Sequence, residues 1–438
     1  MEKITLPELP VLIDFDLFLT FLRTHRQVPV TGSSFHLKQA DLFRLNAEMY
    51  FKASWVSEKS RQPHYPLLDF FYHVVIASKL VRVHHEKKGV YLKVVPEQLE
   101  KYDLMMHTER YFLLLETLWC HMNWEELTGA RSLYFAETVL EVLELMALSD
   151  PGQVLEVRDR SVQVQANKPP LHLMSRKAYE VLWFLGFYDL VPDTTLTKRP
   201  ESHEFPYTKF ISKELSQYLV PVLLEQRPLE FWNLSASQET DIFSELEGIM
   251  DLLVYKPEVE IPEEETTEKP DEPFIEAFKP LFAPEDLSED FYVQQESFEG
   301  GRYTIRIALS KKVYRTIAIG ASATLEDLHL AIQKIYNFDD DHLYAFYMDG
   351  KEWSEYGIYS PDSDRPPFTN EVKLGELDLY TGKRFVYLFD FGDRWLFELV
   401  VQKIEPKVPE PGKAIVIEEK GEAPPQYWEE DEDDDDAW

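Results

Sequence analysis

The sequence predicts a multidomain protein with a mainly α-helical amino-terminal region and a carboxyl-terminal α+β domain. A chain of 438 residues exceeds what one hydrophobic core ordinarily organises, so two or three domains are expected. Apolar residues recur at helical spacing through residues 1–256, whereas alternation of apolar and polar residues begins at Tyr303. Between these regions, residues 257–300 are rich in Pro and Glu, interrupt both periodicities, and predict an extended linker.

Within the amino-terminal region, a helix followed by a β-hairpin is predicted twice. The first helix covers residues 67–80, and its hairpin occupies residues 80–94. The second helix begins after Ser175, a residue type favoured at the N-cap, and its hairpin ends in a strand over 207–211. This order predicts two winged-helix-like units. The predicted domain boundaries are 1–105, 106–256, 257–300, 301–427 and 428–438.

The carboxyl-terminal region has the pattern of a compact α+β domain. Two strands are predicted over 303–309 and 313–319, and a helix follows that opens with the capping box Thr324-x-x-Asp327. A single main helix among several strands predicts a β-grasp-like mixed sheet. The remaining strands are predicted at 343–348, 384–390 and 395–401.

Acidic residues are concentrated in the predicted linker and tail. Of the net charge of −34, residues 257–300 contribute 15 acids and 2 bases, and residues 405–438 contribute 13 acids and 3 bases. Residues 23–101 have the opposite balance, with 13 Lys and Arg against 7 Asp and Glu. The overall charge therefore does not exclude nucleic acid as a partner of the folded parts.

The amino-terminal segment and the cysteine content indicate a cytoplasmic protein. The single cysteine, Cys120, excludes an internal disulfide and a multi-cysteine zinc site. The apolar run over 11–19 contains Asp14 and Asp16 and lacks a basic leader, so neither a signal peptide nor a membrane span is expected.

A series of spaced motifs in the carboxyl-terminal region ends in Tyr387-x-x-Asp390-Phe391-Gly392-Asp393-x-Trp395. A strand that ends at a glycine flanked by carboxylates predicts a tight turn whose amides are satisfied by the aspartates. Leu328-His329 in the helix and His342 with Phe346 precede this motif.

In these motifs, residues 301–427 resemble the plasmid pRiA4b ORF-3-like family, which includes a resolvase-labelled passenger protein of an insertion element. The resemblance implies an association with mobile elements and implies little chemistry. Phe397 stands where the family commonly has a histidine, so no metal or proton-transfer role is carried over to that position.

An acid- and histidine-rich set is the candidate for chemistry. Carboxylates and imidazole bind divalent cations in hydrolytic sites, and a histidine can transfer protons. The alternative is that the acidic run solvates a helix-to-strand turn, and the lack of a compact ligand spacing favours this alternative. No cofactor is predicted, and a divalent metal is kept as an alternative. The candidate metal ligands are Asp339, Asp341, His342, Asp390 and Asp393.

Basic residues in the two predicted hairpin regions are candidates for phosphate contact, namely Lys87, Lys88, Lys198 and Arg199. The candidate recognition helix over 67–80 is nearly all apolar, however, and a base-reading helix needs outward Arg, Asn, Gln or Lys. The acidic tail, 428–438, is expected either to dock in a basic groove or to act as a solubilising segment.

The sequence therefore favours a non-catalytic nucleic-acid-associated or adaptor protein linked to mobile-element biology. A metal-dependent hydrolase and a purely protein-binding scaffold are the alternatives. The expected partner is nucleic acid or a protein and not a membrane, and the oligomeric state is left open.

Overall fold

The three-dimensional structure is a computed structural model. The chain divides into two compact units, one formed almost wholly from residues 1–293 and the other from residues 294–438. The structure describes residues 3–25, 27–31, 35–86, 89–122, 124, 127, 135–158, 160–162, 171–172, 176–196, 205–233, 272–288, 291, 300–354, 357–377, 379–406 and 408–427.

The first unit is mainly helical, as the sequence predicts. Proline occupies the first helical position of three helices, at Pro10, Pro66 and Pro96, where its fixed φ suits the helix and its missing N–H has no helical partner to lose. A π-helical segment, Thr117–His121, follows the fifth helix. The helices are α1 (Pro10–Thr24), α2 (Gln39–Glu48), α3 (Pro66–Ala77), α4 (Pro96–Leu104), α5 (His107–Glu116), α6 (Phe135–Ala147), α7 (Arg176–Phe184), α8 (Glu214–Glu225) and α9 (Leu229–Trp232).

The described part of the first unit also contains two small sheets. One has the strand order β1–β3–β2, and the other has the order β6–β5–β4–β8–β7. The predicted hairpin over 80–94 is present as β2 and β3, and the predicted strand over 207–211 is β8. The strands are β1 (Val28–Pro29), β2 (Val81–Glu86), β3 (Gly89–Val94), β4 (Val154–Arg158), β5 (Ser161–Val162), β6 (Leu171–His172), β7 (Tyr188–Pro192) and β8 (Tyr207–Ser212).

Helix α3, the candidate recognition helix, lies in the hydrophobic core. Phe70, Phe71, Val74 and Val75 are fully buried there, as the apolar composition of the helix indicates. Asp69, one of its few polar residues, is also buried and accepts a hydrogen bond from Gln62 Nε2 at 2.8 Å. This helix is therefore a packing element of the unit.

Part of the segment predicted as an extended linker is packed into the first unit. Phe274, Ile275 and Phe278 are buried in its core, within the 3₁₀ turns Phe274–Ala277 and Lys279–Leu281. The buried guanidinium of Arg227 donates from Nε to the Phe274 carbonyl at 2.9 Å. The structure differs from the prediction here because Pro and Glu dominate the average composition, whereas the aromatic residues that anchor the segment are few.

The second unit is an α+β domain built on one seven-stranded sheet with the order β12–β11–β13–β14–β9–β10–β15. Its pairings are antiparallel throughout the described strands, so the prediction of a mixed sheet is wrong. Strand order depends on pairings between distant segments, which local periodicity does not specify. The strands are β9 (Gly301–Ala308), β10 (Tyr314–Gly320), β11 (Tyr344–Tyr347), β12 (Gly357–Tyr359), β13 (Arg384–Phe389), β14 (Trp395–Pro406) and β15 (Ile415–Lys420).

A single main helix, α10 (Leu325–Tyr336), packs on this sheet. The predicted capping box is present: Asp327 N donates to Thr324 Oγ1 at 3.1 Å, and Thr324 N donates to Asp327 Oδ2 at 2.9 Å. Leu325, Leu328 and Ile332 are fully buried against the sheet. Among the described residues of the whole chain, no helix is long and apolar enough to span a bilayer.

Candidate functional site

The Asp390-to-Trp395 turn joins β13 to β14. Asp390 has a φ of 52°, a left-handed conformation that aspartate tolerates better than most residues. Its Oδ1 accepts hydrogen bonds from Gly392 N at 2.9 Å and Asp393 N at 3.2 Å. Its carbonyl accepts a hydrogen bond from Arg394 N at 2.7 Å. The tight turn predicted from the sequence is therefore confirmed, and one carboxylate organises it.

A buried polar network lies between α10 and the sheet, centred on His329. The ring of His329 stacks on Tyr344 with centroids 3.6 Å apart and planes 4° apart. Its Nδ1 lies 2.6 Å from Tyr387 Oη, and its Nε2 lies 2.8 Å from Asp340 Oδ1. Gln333 Nε2 donates to Tyr387 Oη at 2.8 Å.

The protonation states of this network follow from burial. Burial lowers the pKa of His329, because the low-dielectric interior disfavours imidazolium. Burial raises the pKa of Tyr387 well above its ordinary range. A neutral His329 therefore donates from Nε2 to Asp340 and accepts the Tyr387 hydroxyl at Nδ1. The hydrogen bonds run in one direction, from Gln333 through Tyr387 and His329 to Asp340, and leave His329 no free nitrogen.

A second cluster lies at the surface around His342. Its Nε2 is 3.4 Å from Asp390 Oδ2, 3.7 Å from Asp341 Oδ1 and 3.3 Å from Tyr427 Oη. The Tyr427 hydroxyl donates to Asp341 Oδ2. That hydrogen bond lowers the pKa of Asp341 and raises the pKa of Tyr427 to about 12. Gln426 Nε2 donates to Asp341 Oδ1 at 3.1 Å, so residues 426–427 close over the acidic run.

The five predicted metal ligands do not converge on one point. Asp341, His342 and Asp390 come together, whereas Asp339 and Asp393 contribute backbone N–H donors, to Gln426 Oε1 and Asp390 Oδ1. In the described part of the chain, no group of three or more His, Cys, Asp and Glu side chains is placed to hold a metal ion. Protein donors already occupy both carboxylate oxygens of Asp341 and Oδ1 of Asp390.

The residues predicted to contact nucleic acid lie outside the described residues. They are Lys87, Lys88, Lys198 and Arg199. The acidic tail over 428–438 also lies outside the described residues.

Sequence reasoning missed several members of both clusters. Gln333 lies one helical turn after His329, so the i, i+4 spacing on α10 was an available signal. Tyr344 reaches His329 through folding of the chain after α10, for which no spacing rule exists. Strand β15 was missed because its short run, Ile415 to Lys420, lies within an acidic segment.

The carboxyl-terminal unit is similar to known proteins. Residues 302–430 match the family model described as plasmid pRiA4b ORF-3-like protein. This segment is a pRiA4b ORF-3-like domain. The match confirms the resemblance seen in the motifs.

Two similar proteins carry no assigned activity in their names. The ORF-3-like region matches "Uncharacterized protein y4hQ" of Sinorhizobium fredii with 30% identity over 118 residues, which is 26% of this chain and 58% of that protein. The chain thus spans less than two thirds of that relative. It is also similar to a crystal structure of "Protein of Unknown Function MM3350" from Methanosarcina mazei Go1, with 25% identity, a TM-score of 0.25, and coverage of 29% of this chain and 74% of that chain.

Proposed function

We propose that this protein is a non-catalytic adaptor linked to nucleic-acid and mobile-element biology, whose ORF-3-like domain binds a partner by strand addition at β15. The observation that carries the proposal is the exposure of this strand. All six residues of β15 are exposed, including Ile415 at 57%, Val416 at 38% and Ile417 at 57%. Apolar side chains on both faces of one edge strand are typical of a surface that a partner covers.

Strand β15 is paired along one edge, and the described part of the chain places no strand along its other edge. It pairs antiparallel with β10, and Arg315 Nη1 donates to the carbonyls of Lys420 at 3.0 Å and Gly421 at 3.1 Å. Among the described strands it is the last in the sheet order. Its outer backbone groups are thus available for main-chain hydrogen bonds to an extended peptide, the usual geometry of β-augmentation.

Charge favours a basic partner segment. Residues 405–438 contain 13 acids and 3 bases, and Glu418 and Glu419 lie within β15 itself. An extended lysine- or arginine-containing segment with apolar residues at alternate positions complements both the charge and the exposed isoleucines. The acidic tail over 428–438 would attract such a segment over distances of about a Debye length, roughly 8 Å in physiological salt.

The amino-terminal unit has a supporting role in this proposal. We interpret α3 with β2–β3, and α7 with β7–β8, as winged-helix-like units. Burial of α3 argues against base reading by this helix. Contact of Lys87, Lys88, Lys198 and Arg199 with phosphate would then add affinity without sequence specificity.

A peptide-binding assay on the full chain tests the proposal. The probe is a fluorescent decapeptide of alternating valine and lysine, and its controls are a valine–glutamate decapeptide and a valine–lysine decapeptide with N-methyl groups at alternate amides. We expect only the unmethylated lysine peptide to bind, because strand addition needs both its N–H groups and its charge.

The matched variants are Ile417→Lys and Leu330→Lys, which place the same charge at an exposed apolar position, on β15 or on the far surface of α10 (Leu330 is 49% exposed). We expect Ile417→Lys to weaken binding about tenfold, since burial of one isoleucine contributes on the order of 1.5–3 kcal/mol. Leu330→Lys should bind as the unmodified chain does. Equal binding by both variants, or binding of a DNA duplex but not of the peptide, would contradict strand addition.

A further inference from the structure

The first unit contains a cavity of about 670 Å³, a size typical of small-molecule sites. Its walls come from the loop after α2, from the start of α3 and the residues just before it, from α7, and from β7 and β8. Aromatic side chains form much of this lining. They are Tyr50, Phe51, Trp55, Tyr65, Trp183, Phe184 and Tyr207.

The aromatic wall is held in place by side-chain contacts. Phe51 lies 5.1 Å from Trp183 and 5.2 Å from Phe184, and Trp183 lies 5.8 Å from Tyr207, measured between ring centroids. The Tyr207 hydroxyl donates to Glu180 Oε1 at 2.6 Å. Neighbouring rings meet edge to face, at 74° for Phe51 and Trp183 and at 73° for Trp183 and Tyr207. A wall that offers both faces and edges of aromatic rings suits a planar aromatic ligand, which can stack on one ring and meet another edge to face.

Hydrogen bonds to polar side chains of α1 and α2 fix the loop that carries Phe51. The carboxylate of Asp14, which is 1% exposed, accepts hydrogen bonds from Tyr50 N at 2.6 Å and Phe51 N at 3.0 Å. Asn46 holds the next turn, because its Oδ1 accepts from Ala53 N at 2.8 Å. These hydrogen bonds restrain the cavity wall, and a restrained wall lowers the entropic cost of binding.

The acids that line the cavity are already engaged. Glu180 accepts the Tyr207 hydroxyl. Asp189 Oδ1 lies 2.8 Å from Lys213 Nζ, and Asp193 Oδ1 accepts from Thr195 N and Oγ1 at 2.9 and 2.6 Å. Each of these carboxylates therefore already has a protein partner at one of its oxygens.

Two lining cations are not engaged in this way. Arg176 approaches Glu180 only through Nε, at 3.8 Å, and its terminal nitrogens donate no hydrogen bond to the described residues. Lys52, also in the lining, makes no hydrogen bond or ion pair within the described part of the chain. A guanidinium with free terminal N–H groups binds a carboxylate through two parallel hydrogen bonds.

We infer that this cavity binds a small planar aromatic carboxylate, with its ring against Phe51, Trp183 and Tyr207 and its carboxylate on Arg176. The inference does not depend on strand addition at β15, since the two sites belong to different units. It assigns the first unit a small-molecule site in addition to its supporting role in the proposed function.

Isothermal titration of the full chain with 2-naphthoate tests this inference, and 2-naphthamide serves as the neutral, equally planar control. We expect saturable binding of the carboxylate and binding of the amide that is weaker by about tenfold, the effect of one charge-assisted hydrogen bond. Arg176→Gln should remove that preference, whereas Arg158→Gln, at an exposed arginine outside the cavity lining, should leave it unchanged.

Each of these measurements has a result that would refute the inference. Absence of saturable binding of 2-naphthoate, equal affinity for acid and amide, or an Arg176→Gln variant that keeps the preference would each refute it. If Arg176→Gln does not fold, Lys52→Gln provides the second test, because Lys52 is exposed and its removal should weaken carboxylate binding about threefold. An unchanged affinity in Lys52→Gln would then count against the inference.

Discussion

His329 and His342 belong to the same motif series and lie thirteen residues apart, yet their surroundings are opposite. The side chain of His329 is 1% exposed, and both of its ring nitrogens are occupied by Tyr387 and Asp340. The side chain of His342 is 40% exposed and faces Asp390 and Asp341 at distances of 3.4 Å and more. One histidine forms part of the core, and the other forms part of the surface.

This difference shows that motif membership does not by itself identify a reactive group. In the ORF-3-like domain, both ring nitrogens of His329 and the hydroxyl of Tyr387 have partners within the buried network. Strand β15, one of the two edge strands of the described sheet, is the edge proposed to pair with a partner. We therefore expect partner binding to depend on the β15 edge, and the stability of the domain to depend on the His329 network.

The largest expected effect is the loss of stability in His329→Ala. The substitution removes a stacked ring, one buried hydrogen bond and one part-buried hydrogen bond, so the free energy of unfolding of the ORF-3-like domain should fall by about 3–5 kcal/mol. Hydrogen exchange of the β13 and β14 amides in the full chain measures it. His342→Ala is the matched control and should change the free energy by less than about 0.5 kcal/mol. Similar losses in the two variants would abolish the contrast between the histidines.

A smaller loss is expected for Tyr387→Phe. This change keeps the ring and removes only the hydroxyl, which leaves His329 Nδ1 and Gln333 Nε2 without their partner. The free energy of unfolding should fall by about 2 kcal/mol, the cost of unpaired buried polar groups. Tyr344→Phe, which loses one hydroxyl contact to Thr369 at 3.0 Å, should cost less. Hydrogen exchange of the β13 and β14 amides compares the stability of the two variants. A larger loss in Tyr344→Phe than in Tyr387→Phe would show that the chain of hydrogen bonds is not the stabilising feature.

The pH dependence of stability sharpens the same contrast. Burial lowers the pKa of His329 below its ordinary value of 6.5, so below that pH the unfolded chain takes up a proton that the folded domain excludes. Stability is therefore present above about pH 6.5 and is lost as the pH falls, by at most about 1.4 kcal/mol per pH unit.

We expect His329→Gln to lose less stability than the unmodified chain between about pH 7 and about pH 5.5. Denaturant unfolding of the domain, followed through exchange of its β13 amides, gives both slopes. A slope in His329→Gln as steep as that of the unmodified chain would assign the acid sensitivity to other groups.

The smallest effect is expected at the surface cluster. Tyr427→Phe removes the hydroxyl that holds the pKa of Asp341 below its ordinary range, so that pKa should rise, with no resolved change in the unfolding midpoint. Carboxyl-carbon NMR of the variant measures the pKa. A clear drop in the midpoint would mean that the surface cluster contributes to stability as the buried network does.

Local features of the fold were predictable from the sequence. The Thr324 capping box, the Asp390 turn and the β2–β3 hairpin depend on residues close together in the chain, and each was confirmed. The Tyr387–His329 contact joins residues 58 positions apart, and the antiparallel strand order joins more distant ones. Periodicity and spacing do not encode such pairings.

The average composition of a segment also failed to predict elements that depend on a few of its side chains. The Pro/Glu-rich average of residues 257–300 masked Phe274 and Phe278, which are fully buried or nearly so and anchor part of that segment. Acidic composition likewise masked β15. The metal site was predicted from acids and a histidine that were expected to lie close together. The structure brings three of these five residues together, because turns place carboxylates where they accept hydrogen bonds from backbone N–H groups.

Hydrogen exchange of β15 in the full chain, with and without the valine–lysine decapeptide, tests the central claim most directly. Strand addition predicts that the peptide slows exchange of the outward-facing amides of β15 and leaves those of β12, at the opposite edge of the sheet, unchanged. Unaltered exchange at β15, or equal protection of β12, would contradict the account.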